Sequence, residues 1–374
     1  MDLFADILKP LSTPTPIGAV VDRVVRSIVP SHHPATTLAS RIPQTSRVGL
    51  PPTRQNPWQR ISRSFAPTSD AIEAMNRSGL NWTVEKVGLR TNDLSPVADH
   101  VAIRRSDTGH VLGITGSDYQ PLQNAEAFAF FRDLADSAPI SFETAGAFDH
   151  GGITWVQAKL PDLSIRLGDD ISESYLFISN GHIGNKPLTI APTTLRIICR
   201  NSLRMAEAQS ANARQRRHSL EAGFIVRHTK GMKEALNDIR DAYAQTVRSH
   251  AATTQAYQHL AGKRITTTLT DHFISRVFDA GVGPDEADRA KTIRENRRER
   301  IAAILASPTA QVRGTANSAF ALFQAAIEFI DHDRVTRTAE GEDATEKRLV
   351  SATFGSGAGL KSAAWEAILD LTKA

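Results

Sequence analysis

The stretch that most constrains this chain runs from Tyr175 to Met205. It opens with Tyr175-Leu176-Phe177-Ile178-Ser179, passes through Asn180-Gly181-His182, and returns as an apolar, β-branched run from Leu188 to Cys199. Two extended runs separated by a Gly-containing turn read as strands. On the return strand Leu195, Ile197 and Cys199 share one side, so Arg196, Ile198 and Arg200 share the other. Arg204 continues that line towards a basic helix. Pro192 has no N–H for a ladder, which argues for an edge position or a bulge there.

The flanking sequence predicts more strands, then helices. Ser69-Asp70 can cap a helix through Met75 with Gly79 as its stop, followed by a strand over 81–87. Residues 101–105 and 111–114 flank Ser106-Asp107-Thr108-Gly109 and read as a hairpin. A helix over 125–135 takes Asn124 as its N-cap, and strands over 140–145, 154–160 and 163–167 are divided by Asp149-His150-Gly151-Gly152 and by Pro161-Asp162. From Ser202 onward helix dominates. Met232, Leu236, Ile239, Tyr243 and Val247 recur at steps of three or four, 285–300 is densely charged and solvated, and 318–332 is apolar on several sides and therefore buried. The fold class expected is α+β: an antiparallel sheet packed against helices over 68–250, a mostly helical region over 251–374, and a Pro-rich arm over 1–67. The arm holds ten of the chain's 18 prolines and few aromatics, a composition that resists packing. Trp58 is its candidate anchor.

The formal charge of +4 is modest but unevenly placed. Between Leu195 and Lys230 eight basic residues face Glu207 and Glu221, giving +6, and residues 1–67 add eight basic against three acidic, giving +5. The remainder therefore totals 4 − 6 − 5 = −7. Positive charge gathered on an otherwise acidic body suits an anionic partner. Guanidinium groups across a strand and the segment after it suit phosphates, because each donates in a planar fork and stays charged. The expected nucleic-acid ligands are Lys186, Arg196, Arg200, Arg204, Arg214, Arg216 and Arg217, with Tyr175 or Phe177 as candidate stacking surfaces against core packing of both.

Other chemistry finds little footing. Gly355-Ser356-Gly357-Ala358-Gly359-Leu360-Lys361-Ser362 looks like a phosphate loop, but Leu360 stands where Gly must precede Lys, so a turn and a helix start are expected. Asp331-His332-Asp333 cannot turn three adjacent side chains onto one ion. The lone Cys199 forms no intrachain disulfide and reads as a buried thiol, with a Cys199–His182 nucleophile pair disfavoured by strand alternation. Neither a cofactor nor a metal is expected. No apolar run approaches the roughly 20 residues of a membrane helix, and the first residues lack a basic signal-peptide start. A cytoplasmic protein is expected.

Gly79-Leu80-Asn81-Trp82-Thr83-Val84, Tyr119-Gln120-Pro121-Leu122-Gln123-Asn124, Asp169-Asp170 before Tyr175, and the run from Thr193 through Arg196, Cys199, Arg200 and Asn201 to Leu203 resemble the phage/plasmid-like protein family. This bacterial and phage domain has no established activity. The resemblance covers roughly residues 69–374, implies a mobile-element setting, and transfers no catalytic residues. The order helix, antiparallel strands, long helix is similar to the core of Rad52-like single-strand annealing proteins, a likeness of fold alone. The resulting expectation is a cofactor-independent, oligomeric, single-stranded DNA-binding protein of recombination or replication. The alternatives are a nuclease or nucleotide-processing enzyme using Asp169, Asp170, His182 or Asp331, and an interaction protein that counters a host factor.

Overall fold

A computed structural model describes residue 58 and residues 63–135, 140–184, 186–197, 202–204, 224–226, 228, 240–279 and 288–373. The expectations placed on the arm before Trp58, on Cys199, and on Met232, Leu236 and Ile239 lie outside the described residues.

Among the described residues, two antiparallel sheets are present. The larger has the order β1 (Arg63–Thr68), β5 (Ser141–Phe148), β6 (Ile153–Leu167), β7 (Asp170–Gly181), β8 (Leu188–Arg196) and β10 (Phe224–Val226), and β9 (Ser202–Arg204) also pairs with β8. The smaller consists of β2 (Val84–Arg90), β3 (Pro96–Arg105) and β4 (Val111–Gly116). The β3–β4 hairpin turns through Gly109 at φ +70°, a left-handed conformation that glycine takes without strain.

Helix α1 (Ala71–Ser78) begins where expected. Asp70 accepts from the backbone N–H groups of Ile72 and Glu73, and Gly79 closes the helix at φ 71°. Helix α2 (Asn124–Ala135) also forms, but Asn124 does not cap it. Its side chain is buried and turned elsewhere, while Glu126 accepts from the Gln123 N–H at the helix entry. The expected turn at Pro161-Asp162 is a correction: β6 runs unbroken from Ile153 to Leu167, with a register irregularity between Leu160 and Ile165. Both residues are exposed, so the missing proline N–H is absorbed by a bulge. Pro192 is accommodated by a gap. On that edge of β8, β10 pairs with Leu188–Ile190 and β9 with Thr193–Leu195, leaving Pro192 between them.

Period-two alternation gives the large sheet two apolar faces. Val156, Ala158, Leu176 and Ile178 join α1, α2 and the small sheet in one core. Trp155 and Phe177 turn the other way, onto Phe148, Leu349 and the arm residue Trp58. A third core is helical. It gathers α3 (Arg240–Gly262), α4 (Thr267–Phe278), α5 (Asp288–Leu305), α6 (Ala319–Glu328, continued by a π turn over Phe329–Asp333) and α8 (Ser356–Leu371), and Ile165 of β6 reaches into it. All ten residues of α6 are buried, as their apolar composition predicts. Helix α7 (Ala344–Phe354) covers the aromatic face through Leu349 and Phe354.

Sheet and helices meet tightly at the β6–β7 turn. Gly168 (φ +64°) and Gly314 (φ +100°) sit back to back, and a Cβ on Gly314 would lie 2.5 Å from the Leu167 carbonyl oxygen. Gly314→Ala adds backbone strain to this overlap and is expected to cost about 2–4 kcal/mol. A lowered urea midpoint with unchanged m-value is the expected reading, and an unchanged midpoint would show that the junction yields freely.

Candidate nucleic-acid interface

Arg196 is not a surface residue. Its side chain is 1% exposed, as is that of Asp170. The register of β7 on β8 sets Ser172 opposite Arg196, which brings Asp170, two residues earlier, onto the same face. Arg196 Nε donates to Asp170 Oδ1 at 2.8 Å, and Nη2 donates to Oδ2, a bidentate fork. Thr315, just before α6, donates to Asp170 Oδ2 at 2.8 Å, and the Phe320 ring lies 5.6 Å beneath the guanidinium. Beside them Thr194 meets the Tyr257 hydroxyl of α3 at 3.1 Å, and burial raises that phenol to about 12. Arg196 is therefore corrected from phosphate ligand to structural fastener between sheet and helices. Strand alternation does set Arg196 opposite Leu195, but that side faces the helical layer and not water.

The other expected ligands divide. Lys186 is half-buried, with Nζ 5.7 Å over the Phe354 ring. Arg204 ends β9, which is paired with β8. Arg200, Arg214, Arg216 and Arg217 lie outside the described residues. The strands on either side of residues 205–223 are nonetheless described, and both seat on β8. The most basic stretch of the chain thus leaves and re-enters at one sheet edge. The candidate stacking residues Tyr175 and Phe177 are both core, 4% and 1% exposed.

The carboxylates of the enzyme alternative are each matched by a cation. Asp169 takes a bidentate fork from Arg313 at 2.8 and 2.6 Å, which holds its carboxyl below the usual range. Asp170 has Arg196, and buried Asp331 has Lys361. No group of three or more His, Cys, Asp or Glu with metal-holding geometry occurs among the described residues.

The Tyr-Gln-Pro-Leu-Gln-Asn segment builds a polar web that sequence reading missed. Gln123 holds both backbone groups of Val84, tying α2 to β2. Asn124 donates to Leu80 O at 3.1 Å, so its Oδ1 must accept, taking the Nε2 proton of His182 at 3.1 Å. Tyr119 donates to Gly181 O at 2.8 Å, so its oxygen accepts from His228 Nδ1 at 3.1 Å. These bonds fix both imidazoles as neutral tautomers and leave His182 Nδ1 and His228 Nε2 buried with no hydrogen-bond partner. Burial depresses His182 to about 3, helped by the nearby His228, and His228 to about 4. The spacing of Tyr119 and Asn124 in one motif was the available signal; His228 had none.

These features define an α+β protein in which an antiparallel sheet is bolted to a helical layer through a buried ion pair, with the short strands that flank its most basic segment both paired to β8. A family model, the domain of unknown function DUF932, matches residues 111–353, which is 243 of the 374 residues. The chain belongs to that family. No curated protein and no solved structure matches it. Among the described residues no helix is long and apolar enough to cross a membrane.

Arg196→Ala should lower unfolding free energy by about 3–5 kcal/mol, because Asp170 is left buried and unpaired, whereas the pair Asp170→Leu with Arg196→Met should cost much less. Chemical denaturation of both variants reads this, and equal losses would contradict it. The histidines set an acid limit. Above pH 6.5 neither folded nor unfolded chain protonates them; between 6.5 and about 4 the unfolded chain binds protons that the folded one refuses. Stability should fall as pH falls through that window, by about 1.4 kcal/mol per pH unit per histidine, and His228→Asn should flatten the slope.

Proposed function

We propose that this protein binds single-stranded nucleic acid without a cofactor, gripping the phosphodiester chain through the basic segment carried on the β8 edge. The observation that carries this reading is topological: β9 and β10, either side of residues 205–223, both pair with β8. That arrangement confines Arg204, Arg214, Arg216 and Arg217 to a segment with both ends fixed at one sheet edge. With Arg196 neutralised by Asp170, the run from 195 to 230 still sets seven basic residues against Glu207 and Glu221. Contacts of this kind are made to phosphates and are blind to base sequence.

The finer proposal is a mobile-element protein of phage or plasmid type, acting as an oligomer in recombination or replication by holding or annealing strands. The enzyme alternative is the less favoured, since Asp169, Asp170 and Asp331 each already face a cation. An interaction protein that counters a host factor would need no nucleic-acid affinity at all.

Fluorescence anisotropy with labelled single-stranded DNA tests the reading. Arg214→Glu, Arg216→Glu and Arg217→Glu together should weaken binding by at least about tenfold. They should also reduce the slope of log K against log salt by roughly two, since each lost phosphate contact on a single strand accounts for about 0.7. Circular dichroism should not change. Unaltered affinity would remove the segment from the site, and magnesium-dependent cleavage would favour the enzyme.

A further inference from the structure

On the face of the sheet turned towards α7, three aromatic rings meet the indole of Trp58 and a fourth packs against two of them. Trp155 meets it edge-on at 4.6 Å between centroids, Phe177 at 5.1 Å and Phe148 at 6.2 Å, and Phe354 at the end of α7 closes against Phe148 and Phe177 at 6.2 and 6.0 Å. Trp155 can lie in this position because position 146 is glycine: a Cβ there would stand 3.1 Å from its ring. Trp58 itself is 2% exposed. The four rings of the cage come from β5, β6, β7 and α7; Phe148, Trp155 and Phe177 fall inside the matched family domain, with Phe354 directly after its last residue. Trp58 comes from outside it, from the Pro-rich stretch that precedes β1.

We infer that this aromatic cage is a nucleobase-binding site of the domain, occupied in the free protein by Trp58 as a stand-in base, so that single-stranded DNA binds by exchanging an unpaired base for the indole. The inference rests on the proposed nucleic-acid function and adds to it a base contact and a gate. The indole is a flat bicyclic ring of purine size, and the edge-on and tilted rings that hold it present the same surface to a base. A cation stands at the rim: Lys186 Nζ, 5.7 Å over the Phe354 ring, is placed for the phosphate of a base seated in the cage. Lys186 belongs to the β7–β8 connection, which leads into β8, the strand on which β9 and β10 are paired. Because Trp58 competes for the cage, the observed affinity is the intrinsic one multiplied by the fraction of molecules whose cage is open.

Two measurements test this on the full chain with an oligo(dT) probe. Trp58→Ala should tighten binding by about tenfold or more, and Lys186→Glu added to it should return the affinity to the wild-type level or below. In the wild-type protein, saturating oligo(dT) should shift tryptophan emission to longer wavelength as Trp58 enters water, and Trp58→Phe should abolish the shift. Equal or weaker binding by Trp58→Ala, or a wild-type emission spectrum unmoved at saturation, would make Trp58 an ordinary core residue. If that happens while the arginine variants still lose binding, the phosphate-gripping function stands and only the base site falls. If neither set alters binding, both fall.

Discussion

The structure depends first on a charge pair hidden from water. Asp170 and Arg196 start one strand and end its neighbour, and they meet on the face of the sheet that turns towards α3 and α6. Removing two charges from water is expensive unless every lone pair and proton finds a partner. Here the fork between the two side chains, the Thr315 hydroxyl and the Phe320 ring supply that surrounding. Such a pair works only in one register of β7 on β8, since a slip of one residue would turn Arg196 to the opposite face. It therefore specifies how the helical layer seats on the sheet, and the glycine pair Gly168 and Gly314 lets the backbones close around it.

With that register set, the outer edge of β8 becomes a platform. Pro192 denies it a continuous partner strand, and two three-residue strands take the places on either side. A short, interrupted edge is a poor template for sheet-to-sheet association. It is well suited to holding both ends of a long insertion at one place. The insertion here is the most basic part of an otherwise acidic chain, so the geometry and the charge distribution point in the same direction.

Much of this was legible in the sequence, and the failures share a cause. Asp70 and Gly79 bound a helix through local backbone chemistry, the Asp107 to Gly109 turn made its hairpin, and the apolar run from Ser318 was buried on all sides. Period two correctly put Arg196 opposite Leu195. What it could not say is which side faces water, because a sheet with a layer on each face has no solvent side for a charge to mark. The same blindness hid Asn124, whose type and position suit an N-cap but whose amide serves Leu80, Thr154 and His182, 44, 30 and 58 residues away. Partners so distant leave no local trace. By sequence Phe177 suits either a stacking surface or the core; it is core, and Trp58, which packs against it, carries in the sequence only the mark of an anchor and not of its berth.

Hydrogen–deuterium exchange with and without a saturating single strand of DNA tests the account most directly. It predicts slowed exchange concentrated in residues 197–230 and in the β8 edge that holds them, while the α4 and α5 helices remain as they were. Protection concentrated in the α4 and α5 helices, or none anywhere on the chain at saturation, would contradict it.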